Sequence, residues 1–352
     1  MLSSISKLFV ISVCLENSVS FTQHATLNRR QSGTTSSLFT HSSESAEDDC
    51  DAGMQQRRDF LSNAAKATAL FPFTFVNLAS ADDEVASSPL GPICIIGANG
   101  KTGSECVGAC ISRGIDVVAT SRGGEYTGAY QSKGPKNAVC DVTVPSTVEA
   151  AVKGSRAVIF AASASKAGGT PAAVDNVGLV NVAKACIDYK IPQLVIVSSG
   201  SVTKPDSPVY KFLNIFGKIM DEKIKGEDAV RDLYKGISAS TSTYTVIRPG
   251  GLTEETAKGV GALELNQGDT KSGRIARADV ANLCIESTLF PKLTAAKTFE
   301  CYEAETGKPL QSVGISNILK QTNKSSEKVF VSGKERRGAT FEEIFNGLEA
   351  DA

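Results

Sequence analysis

The chain has 352 residues, a formal net charge of -1, no tryptophan and two histidines, His24 and His41. So even a charge balance leaves no overall electrostatic footprint for nucleic acid. Past residue 41 no histidine remains for a Ser-His-Asp triad, a Cys-His pair or a His-ligated metal, and the length allows one large or two small domains.

The first ninety residues read as an address. Met1 to Ser20 carries Lys7, an apolar run from Leu8 to Cys14 and small residues before Phe21, the make-up of a secretory signal too short to span a bilayer. Residues 21–56 open on a Ser/Thr-rich stretch with Arg29 and Arg30 and no acid before Glu44, as in a plastid transit peptide. A signal joined to a transit peptide through a phenylalanine resembles the bipartite plastid presequence of algae with secondary plastids. Residues 57–81 add a third signal. Arg57-Arg58 with Phe60-Leu61, an Ala-rich apolar stretch and Ala79-Ser80-Ala81 are similar to a twin-arginine export segment and its cleavage site. The rival reading, an amphipathic first helix of the folded domain, conflicts with Lys66, Pro72 and the Ala-x-Ala end. The address predicts a mature chain starting near Asp82 in the thylakoid lumen, with the stroma as the alternative and no transmembrane segment left in it.

A polar linker, Asp82 to Leu90, leads to Cys94-Ile-Ile-Gly-Ala-Asn-Gly-Lys-Thr-Gly103, an apolar strand breaking into a loop with three glycines. A P-loop would need its first glycine at 95, which is isoleucine. The spacing Gly97-x-x-Gly100-x-x-Gly103, set between a strand at 93–97 and a helix at 103–113, instead matches the dinucleotide turn of a βαβ unit. There glycines allow a tight turn and close backbone approach, and the helix N-terminus faces the phosphates. Gly97, Asn99, Gly100, Lys101, Thr102 and Gly103 are the expected cofactor contacts. The next strand, 115–120, leads into Arg122. An acid near this point holds the ribose of NAD, whereas an arginine accommodates the 2′-phosphate of NADP. Arg122, with Lys101 as a second cation, favours NADP(H) over the alternative of two solvated surface charges.

Further strands are predicted at 137–140, 157–162, 193–198, 244–248 and 297–302, with helices at 145–153, 172–188, 221–236 and 278–288. Alternation of this kind is the signature of a parallel sheet. The fold class is α/β, a doubly wound parallel sheet over residues 91–320. Residues 321–352 add a polar connector and a short amphipathic helix that opens on the capping box Thr340-Phe-Glu-Glu343. The nine cysteines contain no Cys-x-x-Cys pair. Cys94, Cys140 and Cys301 fall in strands, and Cys106 and Cys110 share one helix face, which reads as core packing.

Gly97-Ala-Asn-Gly-Lys-Thr-Gly103, Asp141-Val142, Val174-Asp-Asn-Val-Gly178, Val195-Ile-Val-Ser-Ser199 and Tyr244-Thr-Val-Ile-Arg-Pro-Gly-Gly-Leu252 together resemble the atypical short-chain dehydrogenase/reductases. They are especially similar to the NAD(P)H-binding plastid group that includes the NADPH-sensing subunit of the inner-envelope translocon. The resemblance implies a Rossmann-type domain with NADP(H) across the strand carboxyl ends. It further implies Asp141 and Val142 near the adenine and Ala161-Ala162 behind the ribose. Arg277-Ala-Asp279 resembles a family segment that opens a late helix in a structural role.

Catalysis is less plainly written. Ketone reduction in this superfamily pairs a tyrosine with a lysine four residues on, which lowers the phenol pKa from about 10. None of the seven tyrosines has a lysine at that spacing. Ser198 and Ser199 end the strand 193–198. Ser198 is expected at the cofactor, and Ser199 either faces substrate or caps the turn at Gly200. Lys223 falls where the family's helix lysine falls, and either binds the nicotinamide ribose or lies on the surface. Tyr210 is a further candidate acid. Two functions stand open: an NADP-dependent oxidoreductase of a small substrate using Ser199 and Lys223, and a non-catalytic cofactor-holding assembly factor, redox sensor or scaffold with a thylakoid protein partner.

Overall fold

Short β-branched runs separated by helical segments can pair in parallel only through helical crossovers, which then cover both faces of the sheet. The computed structural model, which describes residues 91–165, 168–215, 217–312 and 331–352, has this arrangement. The address segments and most of the expected connector lie outside the described residues.

In chain order the strands are β1 (Ile93–Ile96), β2 (Val117–Ser121), β3 (Lys136–Val139), β4 (Ala157–Phe160), β5 (Gln193–Val197) and β6 (Thr243–Pro249). After these come β7 (Gly251–Thr253), β8 (Leu263–Asn266), β9 (Lys271–Ser272), β10 (Arg274–Ala276), β11 (Lys297–Glu303) and β12 (Lys308–Pro309). Eight of them form one sheet in the order β3-β2-β1-β4-β5-β6-β11-β8. Every neighbouring pair in it is parallel except β11 with β8. The order reverses between β1 and β4, and a crevice opens at the carboxyl ends of strands where such a switch occurs.

Alternation along each strand feeds two cores. Ile93 and Ile95 of β1 join one, and Cys94 and Ile96 join the other. The helices are α1 (Lys101–Ser112), α2 (Pro145–Val152), α3 (Leu179–Asp188), α4 (Pro208–Asn214), α5 (Ile219–Tyr234) and α6 (Arg277–Leu289). Cys106, Val107 and Cys110 of α1 pack with Val280, Leu283 and Cys284 of α6 in the first core. α2, α3 and α5 supply Val148, Val152, Val182, Cys186 and Val230 to the second. The expected core role of the cysteines holds: the seven described ones are buried and free, and burial pushes Cys140 up to about 11 and Cys110 up to about 12. No helix among the described residues is long and apolar enough to cross a membrane.

The predicted strands and helices are found within a few residues of their expected ends. The tail differs from expectation. The Thr340 hydroxyl does accept the Glu343 N–H at 3.2 Å, but the helix it caps, α7 (Phe341–Phe345), stops three residues short of Leu348. Ile344 and Phe345 are fully buried, and the Phe345 ring lies 5.9 Å from that of Phe299. Arg336 exchanges backbone hydrogen bonds with Leu265 on the β8 edge, at 2.8 and 3.0 Å. The tail thus completes the core and covers a strand edge that would otherwise be open.

Candidate functional site

β1 ends at Ile96 and the chain turns at once into α1, so the loop Gly97–Gly100 stands at the carboxyl edge where strand order reverses. Gly97 has φ +83°, and a Cβ there would lie 2.8 Å from the backbone of Ala162. At Gly103 a Cβ would stand 2.2 Å from the Gly97 carbonyl oxygen. Side chains do not fit at such separations, so both positions need glycine. The Gly100 N–H bonds the Gly97 carbonyl at 2.9 Å, and α1 then starts at Lys101 with neither a side-chain cap nor an acid in its first turn. Its N–H groups and positive dipole end are left for an anion. Asn99 braces the loop: its Nδ2 donates to the Glu125 carbonyl (2.9 Å), and its Oδ1 accepts the Thr127 N–H (2.8 Å).

Past the end of β4, the strand beside β1, lies a small cleft lined half by polar and half by apolar side chains. The Ala161 N–H bonds Ile96 at 2.9 Å, and the chain after β4 continues to Ser163 and Ala164, which both donate to Asp175. Asp175 sits in a π-helical turn, Ala172–Gly178, that widens the start of α3 and leaves the carboxylate 1% exposed. α5 passes close enough that a Cβ on Gly226 would be 2.5 Å from the Asp175 carbonyl oxygen. That approach sets Lys223 Nζ 2.7 Å from Asp175 Oδ1. One turn along α5, the fully buried Glu227 accepts a 2.5 Å hydrogen bond from Ser198 Oγ. Its other oxygen takes Arg248 Nη2 (2.6 Å) and Arg231 Nη2 (2.8 Å). Phe160, Leu179, Ile196 and Val197 complete the walls around Asp175, Ser198, Lys223 and Glu227.

Burial by itself would raise the Glu227 pKa, but Arg248, Arg231 and Ser198 together hold it below the usual carboxylate range. Glu227 is therefore an anion that only accepts, and the proton it shares with Ser198 belongs to the serine. Arg248 meets a second carboxyl, Glu300, at 3.4 Å. Burial first, and the nearby Asp269 second, push Glu300 up to about 8.

The remaining expected site residues fall in several places. Arg122 follows β2, and its guanidinium lies against Gly168, so it bridges the segments after β2 and β4, the two neighbours of β1. Lys101, expected beside Arg122, pairs with Glu254 at 3.1 Å. Asp141 Oδ1 accepts the N–H (2.9 Å) and hydroxyl (2.7 Å) of Thr143, which hold its carboxyl below the usual range. Val142 is buried and gives its carbonyl to Asn181 Nδ2 at 2.9 Å. Ser199, expected either to face substrate or to cap the turn at Gly200, donates its hydroxyl to the adjacent Gly200 carbonyl at 3.1 Å. Ser198 is the serine that meets α5, through Glu227. Tyr210, the further candidate acid, lies in α4. Its phenol donates to Asp221, and burial with that contact pushes it up to about 12, the wrong direction for an acid.

A family model described as NAD(P)H-binding matches residues 97–290, more than half of the chain and the whole stretch from the glycine loop to α6. The chain belongs to that NAD(P)H-binding family. It is 30% identical over 208 residues to an uncharacterized chloroplastic protein of Arabidopsis thaliana, which covers 56% of this chain and 71% of that one. It is 28% identical over 242 residues to the chloroplastic protein TIC 62 of Pisum sativum, over 62% of this chain but only 44% of that longer protein. Among solved structures, a putative NAD-dependent epimerase/dehydratase from Bacillus halodurans shares the fold, with a TM-score of 0.51 and 23% identity over 63% of this chain and 97% of that one.

In this NAD(P)H-binding chain the backbone of the loop packs too closely for a Cβ at Gly97 or Gly103, and the uncapped α1 end beside it suits the phosphates of a dinucleotide. Gly97, Gly100, Thr102 and Gly103 follow β1, and Ala161 and Ala162 follow its neighbour β4, at the carboxyl edge of the sheet. Asp175, Glu227 and Arg248 were missed as site residues. The Lys223–Glu227 spacing did place both on one face of α5. No local pattern gave their partners, 48 and 21 residues away in sequence (223 − 175 and 248 − 227).

Proposed function

We propose that the protein is an NADP(H)-dependent oxidoreductase of a small substrate, working in the plastid. The observation that carries this reading is the convergence of Lys223, Asp175, Ser198 and Glu227 on one cleft past the end of β4, the strand beside β1. Taking such charges out of water is costly, and simple retention of a nucleotide does not require them. Bound NADP(H) would supply hydride from its nicotinamide. Lys223, held by Asp175, orients a ribose or substrate oxygen with its remaining N–H donors. Ser198 has its proton committed to Glu227 and presents lone pairs. Phe160, Leu179 and Ile196 keep water out. Ile219 and not a tyrosine stands four residues before Lys223, so the proton of a reduction comes from the substrate or from solvent, and ordinary ketones are expected to react slowly. The test is hydride transfer from labelled NADPH across a metabolite panel. Ser198→Ala is expected to cut turnover by about 10-fold or more while leaving cofactor affinity within a few-fold. A panel without any transfer favours the second reading, a cofactor-holding sensor or scaffold, for which the commitment of Tyr210 to Asp221 speaks.

Arg122 is proposed to hold the 2′-phosphate. NADPH should then bind tighter than NADH, and Arg122→Ala should erase about 10- to 100-fold of that preference, since a charge-assisted contact is worth about 1.5–3 kcal/mol. Equal calorimetric affinities of the unmutated protein for both cofactors would refute the assignment.

The plastid reading is supported by the chloroplastic relatives and by the address segments. The twin-arginine segment further favours the lumen, with a mature N-terminus near Asp82. Sequencing of the mature protein checks this, and a form that still contains Phe60 sinks it.

A further inference from the structure

Two helices begin with a cation beside the cradle: α1 with Lys101 and α6 with Arg277. A cation in the first turn sits at the positive end of the helix dipole, where it is disfavoured, and neither helix end has a side-chain cap. Asp279 of α6 does not relieve this at the surface. It is fully buried, and its carboxylate takes the N–H groups of Lys258 (2.7 Å) and Gly259 (3.1 Å).

Both cations instead meet one exposed carboxylate. Glu254 Oε1 lies 3.1 Å from Lys101 Nζ and also accepts from Arg277 Nη1. Glu254 follows β7, which pairs with β10 up to Thr253↔Ala276, and the segment beyond it is pinned by Asp279 at Lys258 and Gly259. The framework therefore fixes where this carboxylate can stand. Its side chain is 62% exposed, so the pairs contribute little to stability, and turning it out to water costs little.

We propose that Lys101 and Arg277 bind the pyrophosphate of NAD(P)H, and that Glu254 is the built-in counter-ion which the pyrophosphate displaces. This rests on the reading of the glycine loop as the nucleotide cradle. A diphosphate carries two negative charges and several oxygens, so it can engage both cations and the uncapped α1 end together, where one carboxylate oxygen now serves both. Glu254 competes with the ligand and sets its release. The arrangement also divides the cations by task. Lys101 and Arg277 read the diphosphate that NADH and NADPH share, and Arg122 reads the 2′-phosphate that only NADPH carries.

Calorimetry with NADPH, NADH and 2′-AMP on the mature chain and its variants tests this. Glu254→Gln is expected to tighten NADPH and NADH alike by about 2- to 10-fold, as the loss of exposed competing pairs implies. Arg277→Gln should weaken both by about 10-fold or more. Neither change should move 2′-AMP, which lacks a pyrophosphate, whereas Arg122→Ala should weaken 2′-AMP and NADPH and spare NADH. The proposal is overturned if Glu254→Gln leaves both dinucleotides unchanged or weakens them, or if folded Arg277→Gln binds both normally. Should Arg277→Gln fail to fold, the exposed Glu254→Gln still decides. If the unmutated protein binds neither dinucleotide, the cradle reading itself fails, which is a different result from normal binding that ignores Glu254.

Discussion

Gly103→Ala is expected to abolish measurable NADPH binding and to lower the unfolding free energy by about 3 kcal/mol, the upper end for forcing volume into a packed site. The added Cβ would stand 2.2 Å from the Gly97 carbonyl oxygen, 2.9 Å from its carbon and 3.0 Å from Ala98 Cα. All three are backbone atoms, so no rotamer change relieves the overlap. Relief requires α1 to lift off the loop after β1, which separates Cys106, Val107 and Cys110 from the α6 side of the core. The same shift carries the uncapped helix end away from the phosphate position. Gly123→Ala is the control, because a Cβ there meets nothing within 4 Å, and it should stay within about 0.5 kcal/mol of the unmutated protein. Urea denaturation and NADPH calorimetry measure both effects. Cofactor affinity within a few-fold of normal in Gly103→Ala would show that the cradle is more pliant than its sterics say.

Glu227→Ala is expected to cost about 3–5 kcal/mol, as removal of one partner from a buried ion pair does. It strips Arg248, whose side chain is 6% exposed, of its closest carboxylate, and takes one partner from Arg231. Glu300, the other carboxyl beside Arg248, stands farther off at 3.4 Å. The two carboxyls also give opposite pH dependences. The lowered pKa of Glu227 contributes stability that is present above the unfolded value and lost as pH falls through the folded one. Glu300, raised from 4.5 to about 8, binds a proton in the folded chain where the unfolded chain has released it. Its contribution is complete below pH 4.5 and is lost as pH rises toward 8, by up to about 1.4 kcal/mol per unit. Urea transitions from pH 5 to 9 should show that decline, and Glu300→Gln should flatten it. A Glu300→Gln curve parallel to the unmutated one would mean that Glu300 is already ionised.

Much of the architecture was legible because it rests on local rules. The unbroken apolar run Ile93 to Ile96 dictates a strand with two buried faces, and three glycines at a spacing of three dictate a turn that backbone alone can fill. The capping box at Thr340 was legible for the same reason. The destination of that tail was not, since a five-residue helix gives no sign that Phe299 and the β8 edge lack cover without it. Ser198 and Ser199 show the limit most plainly. Adjacent serines past a strand end look alike in the sequence, and both faces of the sheet are apolar, so nothing local says which serine meets the pocket. Asp175 and Glu227 likewise read as ordinary helical acids until the π turn and the close passage of α5 bury them against Lys223 and Arg248. Steric and periodic requirements act between neighbours in the chain and so are carried by the sequence itself. Which buried charge meets which is decided by desolvation, a property of the packed whole, and only the tertiary structure decided it.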